Sequence, residues 1–217
     1  MSLISLLTLQ EIDAKFKDVN VVNHMQEFFG KGVPRYYKKG TYITLWSNEI
    51  LIITSGEVTM LPDTEEACAL GSTFDYMPIG FIERYNGALS LLYRVEKDTE
   101  VMSLSYQEFD EVIRTSPFGV RYLSKLMAYI TSSLIYINCE RGSGTSYHTI
   151  RGLLYRYQYK YEGNVSNAES LAEFILQRSG LSRSYVFKIL SGLKNGGYIT
   201  LKNGRMLAIN KAIPKKF

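Results

Sequence analysis

Apolar and polar positions change period twice along the chain. From about Arg35 to Leu104 they fall into short runs rich in Tyr, Ile, Val, Leu and Thr: RYYKKG, TYITLW, EILIITSG, EVTML, SLLYRVE and EVMSLS, punctuated by Gly, Asp, Asn and Pro. Many short strands at near-regular spacing predict a small antiparallel barrel or roll. Ahead of them, residues 3–30 have a weakly helical pattern that Gly30-Lys31-Gly32 closes. At Ser105 the period lengthens. SYQEFDEVIRTSP suits a short helix ended by Pro117. In FGVRYLSKLMAYITSSLIYINCE, the residues Leu123, Leu126, Met127, Ile130, Leu134 and Ile137 fall at spacings of three and four. That stripe must bury itself against its own domain or against a copy of itself in a two-stranded coiled coil.

Residues 145–161 carry tyrosines at 155, 157, 159 and 161, an alternation that suits a strand. Ile150, Leu153, Leu154, Tyr157 and Tyr161 follow i, i+3, i+4, i+7 and i+11, and the helix is the better reading. Its interleaved Tyr, Arg and Lys suit core packing or, as the alternative, a stacking platform for single-stranded nucleic acid. Ser166-Asn167-Ala168-Glu169 has the S-x-x-E form of a capping box and predicts a helix through Leu171, Phe174 and Ile175 that stops before Gly180. Ser182 is placed to cap a second helix, in which Val186, Ile189, Leu190 and Leu193 make one buried face. Gly196-Gly197 ends it, and YITLKNGRMLAIN reads as two strands around Asn203-Gly204. Helix, turn, helix and hairpin make a winged helix-turn-helix, the unit that reads DNA.

Charge sharpens this picture. The chain has 217 residues and a net charge of +4. Residues 1–141 hold 13 Lys and Arg against 18 Asp and Glu, whereas residues 142–217 hold 12 against 3. A basic C-terminal third on an acidic body is the footprint of a nucleic-acid-binding module. Ser182, Arg183, Ser184, Tyr185, Phe187 and Lys188 form the candidate reading surface. Arg183 lies in the first turn, where a guanidinium can pair with guanine O6 and N7. Ser182 and the backbone N–H groups at the helix start suit a phosphate. Lys188 suits a base or a phosphate. Phe187 suits a thymine methyl or packing on the wing, and the sequence leaves that open. Lys202 and Arg205 stand at the wing tip as phosphate contacts.

These elements resemble the CRP/FNR superfamily of transcription regulators, in architecture over nearly the full chain and in motif over LSRSYVFKILSGLKNGGYI. Ser182, Arg183, Val186, Lys188, Leu190, Leu193, Gly197 and Ile199 fill the places of the family's recognition-helix pattern, and the sequence is similar to the branch that includes the inhibitor of hydrogen peroxide resistance. EILIITSGEVTML looks like the family's roll segment, with Ser55-Gly56 at its turn. The resemblance implies an α+β chain. Residues 1–116 would be an antiparallel, cyclic-nucleotide-binding-like β-roll, residues 117–141 a long dimerisation helix, and residues 142–217 the winged helix-turn-helix. Leu123, Met127, Ile130, Leu134 and Ile137 would face a second subunit. The implied partners are double-stranded DNA carrying an inverted repeat, a second copy of the chain, and RNA polymerase.

Departures from the family pattern carry information. Ser184 stands where many members have a Glu that accepts from cytosine. Lys188 replaces an Arg and loses bidentate geometry. FDYMPIGFIERYNGALSLLYRV lacks the G-E-L turn of the cyclic-nucleotide members, and Leu89-Ser90 takes the place of their phosphate-binding R-S pair. Control by a cyclic nucleotide is therefore not expected. Two cysteines, Cys68 and Cys139, are too few for an iron–sulfur cluster, and His24 and His148 lack a supporting haem motif. No cofactor or metal site is expected. Paired catalytic carboxylates, nucleophile motifs and P-loops are missing, so an enzyme is not expected. No run approaches the roughly 20 apolar residues of a membrane span, and the sequence reads as cytoplasmic. The competing class is a ligand-binding or protein-interaction module that uses the helix-turn-helix as a docking surface.

Overall fold

The computed structural model of the chain describes residues 30–64, 68–73, 75–142, 145–165 and 168–216, with 139–142 as backbone only. The helical expectation for residues 3–30 lies, Gly30 apart, outside them. The described residues form two compact units, one ending at Tyr129 and the other starting at Ile130. No helix among them is long and apolar enough to cross a membrane. The fold is α+β.

The first unit is built on two long antiparallel strands, β3 (Glu49–Pro62) and β6 (Leu91–Ser105), which pair from Glu49 with Ser105 to Pro62 with Leu91. β1 (Val33–Tyr37) and β2 (Tyr42–Ile43) add to β6, while β4 (Gly71–Ser72) and β5 (Pro78–Ile79) add to β3. Leu51, Ile53, Val58, Ile79, Tyr93, Val95 and Val101 fill one apolar core between them. Ile50 and Ile52, on the opposite side of β3, are equally buried. This is why EILIITSG reads as a nearly continuous apolar run rather than an alternating one.

One expectation needs correction. Ser55-Gly56 is not a turn between two strands. β3 passes through it unbroken, with register shifts between Ile53 and Val58. Gly56 has φ 104°, and a Cβ there would lie 2.4 Å from Thr99 Oγ1 and 2.6 Å from the Asp98 carbonyl oxygen. The glycine signal was correct, but its cause is a bulge that bends a long strand.

A five-residue helix, α1 (Phe81–Tyr85), follows Gly80, and α2 (Tyr106–Thr115) follows β6. α2 starts in a full capping box. The Ser105 hydroxyl accepts from the Glu108 N–H at 3.2 Å, and Glu108 Oε2 accepts from the Ser105 N–H at 2.7 Å. The Ser105 N–H bond first, and then the Ser105 hydroxyl donating to the same oxygen at 2.8 Å, hold the Glu108 carboxyl below its ordinary range. Arg84 of α1 donates both terminal nitrogens to Asp110 of α2, at 2.6 and 2.5 Å. Pro117 lies just past the end of α2, as expected. α3 then runs from Gly119 to Gly142. Tyr122 is buried near its start, and its hydroxyl donates to the Tyr76 carbonyl at 2.7 Å. The two units part within α3, between Tyr129 and Ile130.

Gly56→Ala should lower stability by about 1–3 kcal/mol, because the new methyl must occupy a positive-φ site already filled by Thr99. Urea unfolding of the two proteins measures it, and an unchanged midpoint would mean that the bulge relaxes freely.

Candidate nucleic-acid interface

The second unit holds α4 (Ser146–Lys160), α5 (Leu171–Ser179), α6 (Arg183–Asn195), β7 (Ile199–Lys202) and β8 (Arg205–Ile209). α4 is a helix, and the tyrosines on its inner face serve packing. Tyr157 and Tyr161 are buried with ring centroids 4.8 Å apart, and Tyr157 meets Phe174 of α5 edge-on at 5.2 Å. The Tyr157 hydroxyl donates to the Glu169 carbonyl at 2.7 Å, and burial raises its pKa to about 12.

The capping box expected at Ser166 involves residues outside the described ones, and α5 begins four residues later. Ser170-Leu171-Ala172-Glu173 repeats the S-x-x-E pattern, and the Ser170 hydroxyl accepts from the Glu173 N–H at 3.2 Å. Glu169 is unsuited to the expected role because its carboxylate is committed elsewhere. Oε1 lies 3.4 Å from Arg178, 3.7 Å from Lys160 and 3.1 Å from the Tyr161 hydroxyl. Arg178 is only 4% exposed, and its guanidinium lies over the Phe174 ring at 4.0 Å. A charge so buried requires a partner.

α5 ends at Gly180, whose φ of 64° is the left-handed conformation that a tight helix end demands. Ser182 then caps α6 through a bond from the Tyr185 N–H at 3.4 Å. Val186, Ile189, Leu190 and Leu193 are buried, as their spacing requires. Arg183, Ser184, Phe187 and Lys188 all stand exposed on the opposite face. Ser191 and Lys194 continue that face. The helical spacing from Ser184 through Phe187 and Lys188 was the signal that could have found them. Tyr185 belongs elsewhere. It is half-buried against the core and sits at the edge of the exposed face.

The wing forms as the Asn-Gly signal predicts. Asn203 and Gly204 take φ 51° and 75°, and Lys202 pairs with Arg205 across them. Lys202 is exposed. Arg205 stands at the tip as expected, but one nitrogen of its guanidinium is tied down. It is half-buried, and its Nε–H donates to the Ala168 carbonyl at 2.7 Å. Beside it the Leu171 N–H, one of the donors a helix start leaves without an intrahelical partner, donates to the Gly204 carbonyl at 2.8 Å. The wing tip is thus bolted to the start of α5. The sequence reading also missed the segment after the wing. Ile213 is buried, Tyr147 donates to the Pro214 carbonyl at 2.8 Å, and Arg151 donates to the Ile213 carbonyl at 3.1 Å.

In the first unit, Leu89 and Ser90 occupy the place where a phosphate-binding pair was sought. The Ser90 hydroxyl donates to Asp63 at 3.0 Å. Glu83 of α1 accepts from the Tyr93 hydroxyl. Burial, with Glu83 second, pushes Tyr93 ionisation well above its usual range. On α3, Leu126 is fully buried, whereas Leu123, Met127, Ile130 and Ile137 are half-buried and Leu134 is exposed.

Residues 146–215 match the family described as winged helix-turn-helix DNA binding. Comparison with curated proteins finds no match. Among solved structures, the c-di-GMP responsive global regulator CLP of Xanthomonas campestris is similar with a TM-score of 0.72 at 14% identity, over 88% of this chain and 100% of that one. A transcriptional regulator of the crp/fnr family from Eubacterium rectale gives 0.64 at 18% identity, over 90% and 93%. FixK2 of Bradyrhizobium japonicum gives 0.66 at 14% identity, over 83% and 93%. At such identities the likeness is one of fold, and the fold is that of the CRP/FNR regulators.

Arg205→Ala should lower the stability of the full chain by about 1–2 kcal/mol, the range for a hydrogen bond from a charged donor that is half-buried. Lys202→Ala should leave stability unchanged. Chemical denaturation followed by circular dichroism separates them, and equal midpoints for the two variants would show that the bolt contributes nothing.

Proposed function

We propose that this chain, a CRP/FNR fold with a winged helix-turn-helix at its C-terminal end, is a homodimeric, sequence-specific transcription regulator that acts without a cyclic nucleotide. The observation that carries the reading is the outer face of α6. Arg183, Ser184, Lys188, Ser191 and Lys194 are all exposed on it, directly opposite a fully buried face. Such a helix is held rigidly by its core and presents cations and hydroxyls outward, which is what a major groove requires. Lys202 on the wing adds a cation for the neighbouring phosphates. The family match over residues 146–215 supports the same reading.

A second subunit is the natural cover for α3. Val120, Leu123, Met127, Ile130, Leu134 and Ile137 recur at spacings of three, four, three, four and three, the a/d pattern of a two-stranded seam. Val120 is 70% exposed and Leu134 is 49% exposed in the single chain. Leu126, off this register, is the stripe residue buried in the chain itself. A two-fold dimer would set two copies of α6 about 34 Å apart on an inverted repeat. Independence from cyclic nucleotides is supported by Leu89 where a cation would be needed, and by the Asp63 carboxylate that Ser90 binds. A carboxylate at that place repels a phosphate.

Binding to selected and scrambled duplexes across a salt series tests the reading. Arg183→Ala should lose about 1–3 kcal/mol of base discrimination at one base pair of each half-site. Lys202→Ala should weaken both duplexes alike and reduce the salt slope by about one per subunit. Salt-independent binding, or discrimination that survives Arg183→Ala intact, would remove α6 as the reader.

The seam has its own test. Met127→Glu with Ile130→Glu would place charges across an apolar interface at a cost of several kcal/mol. Sedimentation should show dimers for the parent chain and monomers for the variant at micromolar concentration, and a dimeric variant would assign the interface elsewhere.

A further inference from the structure

Phe187 is the one apolar side chain among the exposed positions of α6, and 48% of its surface is in water. The sequence leaves it a choice between the wing and a DNA methyl group, and its exposure favours the second. Tyr185 and Leu201 join the core of the second unit, whereas Phe187 takes no place in it. Its exposed neighbours one turn away are Arg183, Ser184 and Ser191, Lys188 adjoins it, and the fourth neighbour, Leu190, is turned into the core. A protein-docking surface needs a contiguous apolar patch, and a lone ring ringed by cations and hydroxyls is not one. The floor of the major groove has the complementary pattern: hydrogen-bonding base edges in which the C5-methyl of thymine is the isolated apolar group.

We infer that Phe187 is a specificity-determining residue that reads the C5-methyl of a thymine in each half-site. The inference rests on the proposal that α6 reads DNA and adds the chemistry of one position to it. Four residues of helix span about 6 Å, and successive base pairs are about 3.4 Å apart. The thymine should therefore lie about two base pairs from the guanine that Arg183 contacts.

The experiment selects duplexes from a random pool with the full chain. In the tightest-bound duplex, each thymine is then replaced singly by 2′-deoxyuridine, which removes the methyl and leaves base pairing intact. One thymine per half-site should weaken binding about fourfold when demethylated, the factor for one buried methyl group. Phe187→Ala should abolish that sensitivity, Phe187→Leu should keep most of it, and Arg183→Ala should keep it while flattening preference at the guanine. Phe187 is exposed and outside the core, so circular dichroism should show all three variants folded. Indifference of the parent chain to every substitution, or an unchanged sensitivity pattern in Phe187→Ala, would overturn the inference alone. Failure to enrich any duplex would overturn the regulator reading, and this inference with it.

Discussion

Four consecutive residues, Ala168 to Leu171, fasten the winged helix-turn-helix together. The Ala168 carbonyl accepts from Arg205 of the wing. The Glu169 carbonyl accepts from Tyr157 of α4, and its carboxylate pairs with Arg178 at the far end of α5. The Ser170 hydroxyl caps α5, and the Leu171 N–H donates to the wing turn. This short segment thus joins helix, helix and wing. The Glu169–Arg178 pair sets its geometry most strictly, because removing one partner of a buried pair costs about 3–5 kcal/mol. An exposed helix face can serve as a recognition surface only if it is presented at a fixed angle. That angle is set here by polar bonds of defined length acting on top of the non-directional burial of Val186, Ile189, Leu190 and Leu193.

The β-roll uses the same device independently. Glu49, 5% exposed at the start of β3, accepts from the Trp46 N–H at 2.6 Å, the Ser103 hydroxyl at 2.9 Å and Arg35 at 3.0 Å. The Arg35 guanidinium in turn lies over the Trp46 ring at 3.9 Å. One carboxylate therefore ties β1, the loop before β3, and β6. A fully satisfied buried network restricts the ways strands can slide, since a one-residue slip would leave its members unpaired.

These ties explain which features were legible in the sequence. Caps, turns and periodicity depend on residues within about four positions of one another. The helix that opens at Ser105, the Gly180 turn, the Asn203-Gly204 hairpin and the two faces of α6 were accordingly readable. The omissions and misreadings concern residues whose partners are remote. The sequence places Arg205 at the wing tip but does not show its bond to Ala168, 37 residues away. Two S-x-x-E patterns stand in tandem at Ser166 and Ser170. The choice between them follows from where Arg178, Lys160 and Tyr161 place the Glu169 carboxylate. Ser55-Gly56 carries the local signal of a turn, and only pairing with β6 makes it a bulge.

Charge sorting completes the link from fold to function. In the first unit the cations largely answer the unit's own acids: Lys31 meets Glu111, Arg35 meets Glu49, Arg84 meets Asp110, and Lys97 meets Glu57. The exposed pairs among them contribute little stability, but all of them neutralise the local field. Residues 142–217 hold three acidic side chains, and Glu169 is already spent on Arg178 and Lys160. Arg183, Lys188, Lys194 and Lys202 remain exposed with little to cancel them. At physiological salt, fields decay over about 8 Å, so the second unit presents an almost unopposed positive surface to its surroundings. The net charge of the whole chain, +4, conceals that surface. Its sign and its placement on α6 and the wing favour encounter with polyanions on that face, which is the condition the proposed function needs.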